Sequence, residues 1–201
     1  MATPRMTKRR AATAYHEASH AVIARVLGVE VLGVAMFPTD DVSRAGSLTY
    51  SASYYSGADK ASRIAGLEID IKIGLAGPIA DARHSKGRPS RSMKHGEVDD
   101  IARSRSMAAE IALLMAGEPL AQHHGGMQMT VTPAIIESAN AILARLQAET
   151  EALLAEHWPA VERVAQALMT CDLLDQAKLD RLIAGVHGRV GFGPNEDGRM
   201  P

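Results

Sequence analysis

From Ala14 to Leu27 the chain reads AYHEASHAVIARVL, and this stretch constrains the fold more than any other. It reads as a helix, and Val22, Ile23, Val26 and Leu27 make that helix apolar. Apolar helix faces are normally buried. Yet the same helix carries His16, Glu17 and His20, and buried polar groups need partners. The pattern is H-E-x-x-H. In a helix, residues four apart lie nearly one above the other, so His16 and His20 point the same way. Two imidazoles at that spacing can hold two corners of a tetrahedral zinc site. Glu17, one residue on, stands beside the metal, where a carboxylate can take a proton from a water on zinc and act as the general base of a zinc peptidase. With eight histidines in the chain, two helix-surface histidines could also produce the pattern. The apolar surroundings argue for burial, and one metal would satisfy all three side chains.

A chain of 201 residues is by default one domain, with two small ones as the alternative. Hydrophobic residues make up 46% but aromatics only 3%. The core is therefore built from Ala, Leu, Ile, Val and Met, which favours close-packed helices. Twenty-two basic and 23 acidic residues give a net charge of −1, so no global field draws nucleic acid or a membrane surface. The basic cluster Arg5, Lys8, Arg9 and Arg10 reads as a solvated helix start, with a nucleic-acid arm as the weaker option. A single cysteine, Cys171, rules out an internal disulfide and fits a reducing, cytoplasmic setting. It reads as a small buried or half-buried residue. No apolar run reaches the 18 residues of a membrane span, and no uninterrupted apolar segment follows the basic start as in a signal peptide.

In chain order, Thr7 is a candidate N-cap of the first helix, which ends near Leu27 with Gly28 as its stop. Val31–Phe37 reads as a strand closed by Pro38, Thr39–Arg44 as a polar turn, and Gly46–Ser51 as a second strand. Leu48 and Tyr50 alternate there with Ser47, Thr49 and Ser51, so one face is buried. Gly46, Ser47, Leu48, Thr49 and Tyr50 are candidates for substrate binding, because an edge strand can hydrogen-bond an extended peptide over the metal. A small sheet covering the core is equally compatible with the letters. A second helix is expected from Asp59 to about Lys86, with Pro78 predicting a kink or break. Ser85–His95 reads as a loop. A third helix, Gly96–Ala116, begins with Glu97, Asp99 and Asp100, carboxylates that the helix dipole could explain. Pro119–Thr132 is irregular, and His123 and His124 are assigned to its surface. A fourth helix with Thr132 as cap and Pro133 in its first turn runs to about His157. Two shorter helices, Pro159–Thr170 and Asp175–Gly185, follow. Residues 188–201 are expected to form a flexible tail after a domain spanning 1–187.

A catalytic zinc needs a third protein ligand and one open position. The metzincin arrangement requires Gly and His at the third and sixth residues after His20; Ile23 and Val26 stand there instead. Candidates farther along are Asp100, Glu97, Asp99 and His95, with Glu68 and Asp70 weaker.

The segment Ala14–Ala21 (AYHEASHA) resembles the A-Y-H-E-A-G-H-A of the FtsH family of metalloproteases, with Ser19 in place of Gly. Ile73–Ala82 (IGLAGPIADA) is similar to that family's L-L-G-G-R-A-A-E-E, and Gly96–Ile101 (GEVDDI) to its G-A-S-N-D-I/L. Leu153–Ile183 resembles its closing pair of helices. The likeness covers roughly residues 7–185, in the family's order. It implies a mainly α fold, a helical FtsH-type peptidase domain with a small two- or three-stranded sheet. It also implies a zinc ion held by His16, His20 and Asp100, with Glu17 as general base. Ser19 and Pro78 depart from the pattern where helices pack, and Glu97 and Asp99 add negative charge beside the ligand. The family's membrane anchor and ATP-driven unfoldase have no counterpart here: G-x-x-x-x-G-K-[ST] is missing. A stand-alone relative or a cut-out domain would account for this, and the unmatched tail favours the former. The expected activity is ATP-independent hydrolysis of peptides or unfolded protein segments by a monomer or a small homo-oligomer. The alternative is a catalytically silent module that keeps zinc for stability and serves a regulatory or binding role.

Overall fold

The computed structural model describes residues 4–37, 46–50, 59–85, 94–117 and 132–184. The polar turn at 39–44, most of the 85–95 loop, the segment holding His123 and His124, and the tail lie outside these residues. The fold is mainly helical with a small three-stranded antiparallel sheet: α1 (Pro4–Val26), β1 (Val31–Met36), β2 (Gly46–Tyr50), α2 (Lys60–His84), α3 (Lys94–Ala116), α4 (Pro133–Thr170), β3 (Leu173–Asp175) and α5 (Gln176–Leu182). Among the described residues no helix is long and apolar enough to cross a membrane.

Gly28 stops α1 as its sequence position suggests. Its φ is +79°, a conformation that costs glycine little. The Gly28 N–H donates to the Arg25 carbonyl at 3.1 Å and the Val29 N–H to the Ala24 carbonyl at 2.9 Å, a Schellman closure. At the other end the helix begins at Pro4, so Thr7 lies inside it rather than capping it. Arg10 is not a solvated residue of a basic start. Its guanidinium donates to the Leu168 carbonyl at 2.7 Å and pairs with Asp172 at 2.8 Å. It thereby satisfies the carbonyl end of α4, where a cation is favoured.

Among the described residues the sheet order is β2-β1-β3, so β2 is an edge strand there. A bulge between Val31 and Gly33 leaves Leu32 without a partner. The extra residue resets the alternation, so Val31 and Val34 both face the core while Leu32 is exposed. The third strand, allowed for in the expected sheet but not located in the sequence, is the short β3: three residues, Leu173–Asp175, pair with Ala35, Val34 and Gly33. Asp175 then caps α5 by accepting from the Lys178 N–H at 2.8 Å.

α2 begins at the cap Asp59, which accepts from the Ser62 N–H at 2.8 Å. It continues through Pro78 without a break. Pro159 likewise does not divide the chain into two helices: α4 runs from Pro133 to Thr170. The reason is packing. Ile142, Leu146, Leu154, Val161, Val164 and Leu168 form one buried stripe across the proline. Its burial outweighs the roughly 3 kcal/mol that an internal proline costs. The first half of α4 lies on α2 and α3, around Ile71, Ile111 and Leu146. Its second half joins α1, β1 and α5 around Ile23, Val34, Val161 and Leu179. One long helix thus backs both cores, and α1 and α2 meet in front of it.

Candidate metal centre

The site forms where α1 crosses α2 at the point where α2 has least bulk. A Cβ added at Gly77 would stand 2.5 Å from His16 Cε1 and from His20 Nε2, so only glycine lets the imidazoles lie against the α2 backbone. Ile73, Gly77 and Asp81 are spaced by four and share that face. Each end of the stripe fixes one imidazole. His20 Nδ1 donates to the Ile73 carbonyl at 2.6 Å, and His16 Nδ1 to Asp81 Oδ2 at 2.8 Å. Both partners are acceptors, which assigns the ring proton to Nδ1 in each neutral histidine and leaves each Nε2 with a lone pair.

Those two lone pairs face each other and a carboxylate. His16 Nε2 lies 3.0 Å from His20 Nε2 and 3.1 Å from Asp100 Oδ2, and His20 Nε2 lies 3.4 Å from Asp100 Oδ2. Three acceptors at such distances repel unless a cation sits among them. A tetrahedral zinc with bonds of about 2.0–2.1 Å separates neighbouring donors by about 3.3 Å, so this donor set fits zinc in spacing and in kind. His16, His20 and Asp100 form a metal-sized group of donors among the described residues. Without a metal the cluster answers with a proton. Burial lowers the pKa of His16, but hydrogen bonds to Asp100 and Asp81 outweigh it and push the imidazole up to about 10. The same imidazoles hold the Asp100 carboxyl well below the usual range, against the burial that would raise it.

Glu17 lies beside this group, only 8% exposed. Burial pushes its carboxyl pKa up; the two imidazoles oppose that, and Asp100 and Asp81 reinforce it. The edge strand abuts it: a Cβ added at Gly46 would come within 2.5 Å of the Glu17 Cδ. Ser47 and Thr49 are exposed, and Leu48 and Tyr50 half-buried. Ser19, where the resemblance has glycine, is fully buried and turns its hydroxyl back onto the Tyr15 carbonyl at 2.7 Å.

Of the other ligand candidates, Asp99 points to solvent. Glu68 pairs with Arg145 at 2.5 Å, and Asp70 accepts from the Tyr50 hydroxyl at 3.2 Å. The side chains of His95 and Glu97 lie outside the described residues. Because α3 starts at Lys94, Asp100 falls beyond its first turn, where the dipole explanation no longer applies.

Sequence reasoning did not single out Asp81. A signal was present: an acid embedded in an apolar helical run, four residues after a glycine, is buried and needs a cationic or N–H partner. Asp81 is 7% exposed, and its Oδ1 finds no hydrogen-bond partner among the described residues. No protein-family model matches the chain, and no curated protein matches it in sequence.

Proposed function

We propose that this chain is a zinc-dependent endopeptidase that hydrolyses peptide bonds without ATP. The observation that carries this reading is the meeting of His16 Nε2, His20 Nε2 and Asp100 Oδ2 within 3.4 Å, with Glu17 buried beside them. Zinc, when bound, supplies a Lewis acid for the scissile carbonyl and lowers the pKa of water toward neutrality. Glu17 accepts a proton from the attacking water and delivers it to the departing amine nitrogen as the C–N bond breaks. Asp81 and the Ile73 carbonyl keep the imidazoles turned toward the ion, an outer-shell role typical of such partners.

The substrate adds as an extended segment along the edge of β2, through the backbone of Gly46–Tyr50. Gly46, packed against Glu17, links that edge to the base. Backbone pairing of this kind takes peptides and unfolded segments rather than folded proteins.

The test is cleavage of a fluorogenic peptide library by wild type and Glu17→Gln, each assayed with its zinc content. The substitution keeps the metal and lowers the rate by about 10²–10⁴. Equal rates remove Glu17 from the mechanism. The second reading is a silent zinc-stabilised regulatory module, which a fourth protein donor closing the site, His95 or Glu97, would support. Three converge among the described residues.

A further inference from the structure

Three hydroxyls are fully buried among the described residues, and they behave differently. Ser19 and Thr150 turn back and donate to the carbonyl four residues earlier, both at 2.7 Å. This is the local partner that any helical serine or threonine can reach. Ser104, with no exposed surface, does not take it: its Oγ has no hydrogen-bond partner among the described residues. Instead it points across to α2, where a Cβ added at Gly74 would lie 3.0 Å from it.

A second polar group in that contact lacks its ordinary partner. The Gly74 carbonyl would accept from the N–H of residue 78, but residue 78 is proline and has none. A hydroxyl that leaves its own helix's carbonyl unused and a glycine whose carbonyl has lost its helical donor thus face each other across one α2–α3 contact. Buried groups of this kind are rarely left unpaired.

We propose that Ser104 is a positioning residue of the metal centre: its hydroxyl reaches the Gly74 carbonyl through one enclosed water, and so fixes the seat of Asp100. Ser104 and Asp100 are one turn apart on α3. Gly74 directly follows Ile73, whose carbonyl holds His20, and precedes Gly77, on which both imidazoles lie. The clasp therefore joins the backbone that orients the histidines to the helix that carries the third donor. It gives Pro78 a use as well, since a proline there frees the carbonyl that the hydroxyl reaches. This inference rests on the metal reading of His16, His20 and Asp100.

The experiment measures zinc affinity by competition with a chromophoric chelator, using zinc alone as the probe. The proteins are wild type, Ser104→Ala, Pro78→Ala and the double variant, with far-UV circular dichroism on each. Ser104→Ala should weaken zinc by about tenfold with helicity kept. In the Pro78→Ala background the same change should cost distinctly less, because residue 78 then supplies its own N–H to Gly74. Wild-type affinity in Ser104→Ala, or an equal loss in both backgrounds as simple packing would give, overturns the proposal. Should the variants not fold, a high-resolution crystal structure of the wild type decides. Ser104 Oγ bonded to a water shared with the Gly74 carbonyl supports the clasp, and Ser104 Oγ turned back to the Asp100 carbonyl overturns it. A wild type that takes up no zinc overturns the metal reading itself, whatever the crystal structure says of the hydroxyl.

Discussion

Asp81 and Asp100 do different work, although each lies within hydrogen-bond reach of His16. Asp100 faces Nε2, the side of the ring that a metal would occupy, whereas Asp81 takes the proton on Nδ1 and sets the ring's tautomer. Asp81→Asn keeps an acceptor but removes the charge. It should weaken zinc by about 10–100-fold, read by chelator competition, while Glu17→Gln leaves affinity near wild type. Proton linkage gives a second prediction. In the metal-free protein His16 holds a proton up to about pH 10, and zinc must displace it. Zinc uptake at pH 7 should therefore release about one proton per ion, and affinity should rise with pH until His16 loses that proton unaided. Titrations in two buffers of different ionisation enthalpy check both the count and the sign. His16, Glu17 and His20 were legible because a four-residue spacing fixes side-chain direction in any helix. Asp100 was one of several acids until a resemblance in motif order singled it out, since spacing cannot say which distant helix returns. Asp81 stayed hidden because its partner is 65 positions away and no local pattern links them.

Small residues on α2 matter as much as the ligands. Gly77 lets α1 approach until the imidazoles touch backbone, so Gly77→Ala forces the helices apart or drives both rings off their rotamers. Overpacking of this sort costs about 1–3 kcal/mol, and zinc binding should fall with it. Thermal unfolding with and without zinc separates the two losses; unchanged affinity would mean that the α1–α2 contact is looser than described. The helices themselves were largely readable, for Gly28, Asp59, Thr132 and Asp175 all act as stops or caps through local hydrogen bonds. The two internal prolines were not. At Pro78 and Pro159 a local rule predicts a break, but the apolar stripe on either side is buried against other helices, and tertiary packing prevails. The three-residue β3 escaped for the opposite reason: what makes it a strand is pairing with β1, far away in sequence.

At the scale of the molecule, the metal would staple α1 to α3 across 84 positions. A ligand that binds only the folded chain adds about 2.7 kcal/mol of stability at a hundred times its Kd. Chelation should then lower the Tm by roughly 5–10 °C for a chain of this size, and added zinc should restore it. A Tm indifferent to chelator would place no metal between these helices. The mainly helical fold with a small sheet was legible in the helix and strand patterns together with the resemblance that implied it. The joining of two cores by one long α4 did not, because it depends on which faces meet. The central claim is the coordination sphere, and X-ray absorption at the zinc edge, on protein loaded with one equivalent, tests it most directly. The prediction is two imidazole nitrogens and carboxylate oxygen at about 2.0–2.1 Å, with the spectrum altered in Asp100→Ala. A zinc environment without imidazole, or one that Asp100→Ala leaves unchanged, would contradict it.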